Sequence, residues 1–284
     1  MGDFDVVLKE EKHLLIPIPN LTQVLLLVFP ILTFPLLALL SFNAASTPLT
    51  WLDKTFVENA FYDVALRHEY AQGNKPLAKW KRPIKIWIDH RVGDEELHQE
   101  LTELHVQHLA KVTQHPIKIV TRESDANVKW IYTRQSQWIA EAKTVLKLKS
   151  TQHLNSAICT AGYRTNSKGE IVYAGIVIPV DQARARGKLV ACIVEEITQV
   201  LGLPNDSDKA YPSIFNDYTP EDLLSPLDVV LLKLLYEPEL KVGMTETEAK
   251  PIVRKILKRY SETGVLQQAS KAAQQAPLYQ LIGY

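Results

Sequence analysis

The chain has 284 residues, room for one large domain with attachments or for two small ones. Its 32 basic residues balance its 32 acidic ones, so no basic face is expected and nucleic acid is not an expected partner. No internal repeat, phosphate-binding loop or Gly-rich dinucleotide fingerprint marks the sequence.

Residues 1–20 read as an N-terminal tail. No charged residue occurs from Leu14 to Leu52, and this stretch contains "LTQVLLLVFPILTFPLLALLSF", residues 21–42. A helix of that length spans about 33 Å, enough for a bilayer core. Pro30 and Pro35 lie inside it, which a lipid-buried helix tolerates better than a soluble one. The segment is expected to be a transmembrane anchor. A signal read from a later start is the alternative, with "NAAS" (43–46) as a poor cleavage candidate. Lys9 and Lys12 precede it and Lys54 and Arg67 follow it, so charge bias decides little about orientation. A short N-terminus leading a large C-terminal part suggests an inner-membrane, single-pass protein with a periplasmic domain, or a secreted one after cleavage.

A helix is predicted from about Leu52 to Ala71, where Phe56, Ala60, Val64 and Ala65 recur at helical spacing. "RPIKIWID" (82–89) reads as a strand with Pro83 at its start. In the next helix Asp94 is the expected N-cap, and Leu97, Leu101, Leu104 and Leu109 form the apolar face. His98, His105, His108 and His115 then read as a polar flank rather than a metal cluster. "PIKIV" and "NVKWIYT" are short strands, and "QWIAEAKTVLKL" a short helix. "GEIVYAGIVIPVD" (169–181) is the strongest strand candidate, and "NSKG" before it a hairpin turn. A helix follows from Gln182 or Lys188 to Leu201. Another begins near Ser225 and Pro226, a cap followed by proline in the first turn. "GMTETEAKPIVRKILKRYS" is amphipathic, and the last twenty residues look weakly packed. The order predicts an α+β domain with a mixed sheet over residues 52–250, then a C-terminal helix and tail over 251–284.

Two cysteines, Cys159 and Cys192, either pair in an oxidising compartment or remain buried thiols.

The segment "CIVEEITQVLGLPND" (192–206) poses the functional question. Read plainly, Val190, Val194, Ile197 and Leu201 form a core face. Glu195, Glu196 and Gln199 are then solvated, and Gly202 terminates the helix. Read chemically, Glu195 and Gln199 stand one helical turn apart, as two metal ligands would, and Glu196 stands where a general base would reach a metal-bound water. Gly202 permits a turn, and Asn205 falls where a third ligand could return. One carboxylate and two amides form a donor set wrong for zinc. A hard, calcium-like cation suits it better, with Asp206 or Asp208 added. No cofactor is expected.

The spacing Glu-Glu-x-x-Gln-x-x-Gly-x-x-Asn resembles the zinc motif of metzincin proteases with its histidines replaced. "SIFNDY" (213–218) looks like the methionine turn of the matrixin branch, with Ile214 replacing methionine and Tyr218 in place of the matrixin tyrosine. "SPLDVVLLKLLY" looks like the helix that closes a matrixin domain. The strand at 169–181 would be the edge strand before the motif helix. Over about residues 54–250 the chain more closely resembles a bacterial family of unknown function, through "KWKRPIKIWI", "CIVEEITQVLGLPNDSD", "SIFND" and "LLYEPELKVGM". That resemblance implies exported or membrane-attached proteins and no established activity. Together they imply a metzincin-like mixed sheet and a degenerate site. The expected role is a non-catalytic module that binds an extended peptide or an envelope protein. The alternative is a peptidase with Glu196 as general base and an unusual metal or none.

Overall fold

A computed structural model of the chain describes residues 5–10, 49–67, 73–218 and 221–282. The predicted anchor at 21–42 and the "NAAS" site lie outside the described residues. Among those described, no helix is long and apolar enough to cross a membrane.

The first strand, β1 (Asp5–Glu10), comes from the far N-terminus. Helix α1 (Lys54–Ala65) is capped by the Asp53 carboxylate, which accepts from the backbone N–H of Thr55 at 2.8 Å. The chain then forms β2 (Lys79–Trp80), β3 (Ile84–His90), α2 (Glu95–Thr113), β4 (Ile117–Ile119), β5 (Val128–Thr133) and α3 (Gln135–Val145). The hairpin of β6 (Ala157–Thr165) and β7 (Glu170–Pro179) comes next, and α4 (Val180–Ala185), α5 (Leu189–Gln199), α6 (Pro226–Tyr236), α7 (Glu246–Glu262), α8 (Val265–Gln274) and α9 (Pro277–Ile282) complete it.

The strands make one mixed sheet in the order β1-β6-β7-β5-β3-β4, with β2 also on β7. Strands β3, β4, β5 and β7 run parallel, while β6 is antiparallel to β7 and β1 antiparallel to β6. Strands and helices alternate along much of the chain, as parallel crossovers require, so the domain is mixed α/β rather than segregated α+β. The strand expected at the edge, 169–181, is instead interior. Its Ile and Val content reflects burial on both faces, which parallel strands demand.

The two-residue period sorts each strand between two layers. On β5, Val128, Trp130 and Tyr132 enter the main core beneath α2, α5 and α6, while Ile131 joins the smaller cluster under α3. On β7, Ala174, Ile176 and Ile178 face the main core and Val177 the smaller one. Gly175 also faces α3: a Cβ there would stand 2.5 Å from Val145 Cγ1, so its absence lets the helix approach.

Several expectations are corrected. Asp94 occupies the N-cap position of α2 in the left-handed region (φ 62°) and makes no capping bond; its carboxylate pairs with Arg184 at 2.5 Å instead. Leu97 is 42 % exposed, whereas His98, His105 and His108 are buried. The histidine side of α2 faces inward because distant backbone carbonyls serve it: Val194 O lies 3.1 Å from His105 Nε2, and Ala272 O 3.1 Å from His108 Nε2. The last twenty residues are not loose. Leu266, Ala269, Ala273 and Leu278 of α8 and α9 are buried in the main core, and α7 begins before residue 251.

Candidate functional site

Helix α5 is the central strut of the domain. Ile193, Val194 and Ile197 are fully buried, each worth about 1.5–3 kcal/mol against exposure. The polar face is buried too. Glu195 is 1 % exposed, Glu196 0 % and Gln199 1 %, so the solvated reading of that face fails. An apolar helix face would not by itself bury a pair of carboxylates; surrounding structure on all sides does so.

Both ends of α5 are held from outside. Near its start, Cys192 forms a disulfide with Cys159 of β6, with Cα atoms 6.1 Å apart. At its end, Trp80 Nε1 of β2 donates to Val200 O at 2.8 Å, and Tyr236 Oη of α6 donates to Leu201 O at 3.1 Å. These bonds serve carbonyls that a helix end leaves without intrahelical partners. Gly202 follows with φ +122°, and a Cβ there would lie 2.2 Å from Ala78 O. Glycine is thus required twice over, by backbone conformation and by the approach of the segment that leads into β2. Lys79 completes this junction. Its buried ammonium donates to Leu235 O at 2.8 Å and Glu237 O at 3.0 Å, closing the C-terminus of α6, and burial lowers its pKa to about 8.

The three candidate ligands do not converge. Glu195 and Gln199 share a face of α5, and Gln199 Nε2 donates to Asp206 Oδ1 at 3.0 Å. Asn205 turns to α1 instead. Its Nδ2 donates to the carbonyls of Asp63 (3.0 Å) and Arg67, its Oδ1 accepts from Lys75 Nζ at 2.9 Å, and its N–H donates to Val64 O at 3.1 Å. Asn205 closes the C-terminal end of α1, an ordinary asparagine role. Asp208 contributes its carbonyl to Asn216 Nδ2 at 3.0 Å. Among the described residues no group of three or more His, Cys, Asp or Glu side chains stands where it could hold a metal ion. One carboxylate and two amides are a poor donor set for zinc, and the Asn205 amide is directed to α1 and Lys75 rather than to the Glu195–Gln199 face.

The 213–218 turn is built around a residue that sequence reasoning passed over. Asp228, on the first turn of α6, is fully buried and accepts from Ser213 Oγ at 2.5 Å, Ile214 N at 3.1 Å and Ser225 N at 2.8 Å. Ser225 Oγ returns a bond to Asp228 N at 3.1 Å, a reciprocal capping box. Burial pushes the Asp228 carboxyl up to about 6, against the pull of its donors. Its signal was present as Ser225-Pro226-Leu227-Asp228, cap and third helical position. Ile214 is buried in the core beneath the turn, while Tyr218 is 55 % exposed.

A second polar cluster lies at the carboxyl ends of the parallel strands. The rings of His90, His98 and Tyr132 stack, with His98 and Tyr132 centroids 4.7 Å apart. Arg184 of α4 donates to His98 Nε2 at 3.2 Å, so that nitrogen is unprotonated, and burial with the Arg184 charge lowers the His98 pKa to about 4. The open crevice beside it is lined by Asp94, Glu95, Glu96, Leu97, Gln99 and Arg184, and includes no α5 residue.

The outer strand β6 was legible only as the partner implied by the "NSKG" turn. Asn166 makes that turn, its Oδ1 accepting from the N–H groups of Lys168 and Glu170, both at 3.0 Å. The outer edge of β6 carries β1 in the register Asp5↔Tyr163, Val6↔Gly162, Val7↔Ala161 and Leu8↔Thr160.

Comparison with curated proteins and with solved structures finds no match. A family does match, over residues 54–255, a span that takes in α5, the 213–218 turn, α6 and the Lys79–Trp80 junction. The chain belongs to the family described as "Protein of unknown function (DUF2927)".

Proposed function

We propose that this domain is a non-catalytic module that binds an extended peptide or protein segment, in an exported protein attached to the membrane through residues 21–42 or secreted after cleavage. The observation that carries this reading is β6. It already accepts an extended antiparallel strand along its outer edge, the mode by which sheets capture peptides through main-chain hydrogen bonds. The Cys159–Cys192 disulfide supports an oxidising compartment, since such bonds are rare in reducing ones. The mixed sheet followed by a buried helix, a turn and a second capped helix is the order that a degenerate metzincin scaffold requires, and that ancestry remains part of the proposal.

The peptidase alternative asks Glu196 to act as general base. A general base must reach a water or a substrate, and the Glu196 side chain is closed off from solvent. Asn205 is turned away from it, toward α1. Both points favour binding over turnover.

The test is binding by the full chain in detergent of a panel of extended peptides, with metal content and cleavage measured on the same samples. Saturable binding is expected, lost when alternate peptide amides are N-methylated, with no cleavage and with metal content unchanged in a Glu195→Ala, Gln199→Ala double mutant. Cleavage of any peptide that stops in Glu196→Gln would overturn the reading. So would binding indifferent to N-methylation.

A further inference from the structure

We propose that the sheet face opposite the main core docks, where α3 leaves it uncovered, on an anionic phospholipid surface. Helix α3 covers that face only toward the carboxyl ends of β5 and β7, where Ile131 and Val177 join Trp138, Ala142 and Val145 in the smaller cluster. Toward the amino ends of the parallel strands the face carries Lys85 and Trp87 of β3, Lys118 of β4, Lys129 of β5, Tyr173 of β7 and, on antiparallel β6, Arg164. Each alternates with residues in or against the main core, which sets all six on the other side. All six are at least partly exposed.

This face holds more positive charge than its own acids balance. Lys85 and Lys118 are register partners on adjacent parallel strands, with side chains on one face. Like charges so placed repel, a cost to the sheet that a bound anion removes. Among the described residues neither ammonium has a carboxylate partner. Glu123 and Asp125, on the turn beside β3, are taken by Lys129 and Arg122, both at 2.7 Å. The aromatic rings are placed for an interface rather than for a core. Trp87 belongs to neither apolar cluster of the described residues, and Lys129 Nζ stands 5.2 Å from its ring centroid. The Arg164 guanidinium stands 5.0 Å from the Tyr173 centroid. Tryptophan, tyrosine and lysine together suit the headgroup layer, where the rings meet the apolar boundary and the ammonium groups meet phosphate. From β4 to β6 the cations spread across four strand spacings, about 19 Å. That two-dimensional array matches a plane of phosphates. A single extended polyanion, peptide or nucleic acid, would follow a line and meet only some of them. The docking needs no crossing of the bilayer and is independent of the peptide-binding reading of β6.

The experiment uses the full chain in phospholipid nanodiscs, of phosphatidylcholine alone or with one-third phosphatidylglycerol. Lysine acetylation is followed by peptide mass spectrometry, with the exposed Lys255 of α7 as internal control. Lys85 and Lys118 are expected to be labelled at least about fivefold more slowly in the anionic discs, the factor that one basic residue gains at such a surface. Lys255 is expected to be labelled equally in both. The difference should vanish at about 0.5 M salt, where charges are screened within about 5 Å. In Lys85→Glu, Lys118→Glu the protection of Lys129 should be lost, whereas Lys85→Arg, Lys118→Arg keeps the charge and should keep it. Equal labelling of Lys85 and Lys118 in the two discs at low salt overturns the inference, whether fast or slow, as does protection of Lys129 that survives the glutamate pair. Stronger protection by polyglutamate or by a thymidine oligonucleotide in neutral discs than by phosphatidylglycerol would also overturn it, and would assign the face to a linear polyanion.

Discussion

The Cys159–Cys192 bond offers the sharpest test of how the domain is held together. It joins β6 to the first turns of α5 across a sequence separation of 33 residues. Closing a loop of that size removes unfolded-chain entropy of about 12.5 cal/mol/K, or about 3.7 kcal/mol at 25 °C. Both sulfurs are fully buried, so replacing both residues by alanine adds a small packing loss of about 1 kcal/mol. Reduction isolates the first quantity, and the double alanine variant gives the sum. Urea unfolding of the full chain in a mild non-ionic detergent, followed by tryptophan fluorescence, reads both, since Trp80 and Trp130 lie in the main core. Stability is expected to fall by about 3–4 kcal/mol on reduction, and by about 4–5 kcal/mol in Cys159→Ala, Cys192→Ala. A loss under about 1 kcal/mol on reduction would refute the entropic reasoning. Free reaction of both thiols with iodoacetamide in unreduced, unfolded protein would refute the bond itself.

Three further outcomes follow from the same structure. Gly202→Ala meets Ala78 O and an unfavourable φ together, so a loss of about 3 kcal/mol or more in urea titration is expected, and a neutral result would mean that the α5–β2 junction is not packed this way. Lys79→Met leaves the Leu235 and Glu237 carbonyls without their donor, at about 2–3 kcal/mol, with α6 amides expected to lose exchange protection first. Stability should also fall in acid. The pKa values of His98 and His105 drop on folding from 6.5 to about 4 and about 3, chiefly through burial, so the unfolded chain binds the extra protons below pH 6.5. Their stabilisation is complete above 6.5 and is lost as pH falls toward 4, by about 1.4 kcal/mol per pH unit for each. Asp228, raised to about 6, holds a proton when folded that the unfolded chain lacks, and offsets one of the two between 6 and about 4. Chemical denaturation at pH 7 and pH 5 reads the net loss, and stability that is flat or rising toward pH 5 would refute the assignment of neutral, buried histidines.

Much of the fold was legible because its signals are local. The hairpin turn at Asn166–Gly169, the Ser225–Pro226 helix start and the positive φ of Gly202 each depend on residues within a few positions. What escaped depends on atoms far away in sequence. Periodicity treats histidine and glutamate as solvent-facing, and it has no means of supplying Val194 O to His105 or a buried environment to Glu196. Asn205 had the spacing of a metal ligand, but the C-terminal end of α1, remote in sequence, claims its amide. In the C-terminal segment the inward residues Ala269 and Ala273 are too small to register as an apolar face, yet both are buried in the main core. Strand β6 escaped for a related reason, since alanine, glycine and threonine carry little strand signal, and its place is set by β7 and the turn between them.

The buried polar residues then acquire a common purpose. Trp80 and Tyr236 hold the end of α5, the disulfide holds its start, and His105 reaches its middle through Val194 O. A helix fixed at three points, one of them covalently on β6, leaves that strand little freedom to shift. A sheet edge that binds through main-chain bonds gains affinity from this rigidity, because ordering costs are met on folding rather than on binding. A hydrolytic site would require the opposite at Glu196, an opening for water and substrate beside the helix. Helix α5 is held by these contacts while Glu196 on the same helix is buried, an arrangement that fits the proposed binding role better than a catalytic one.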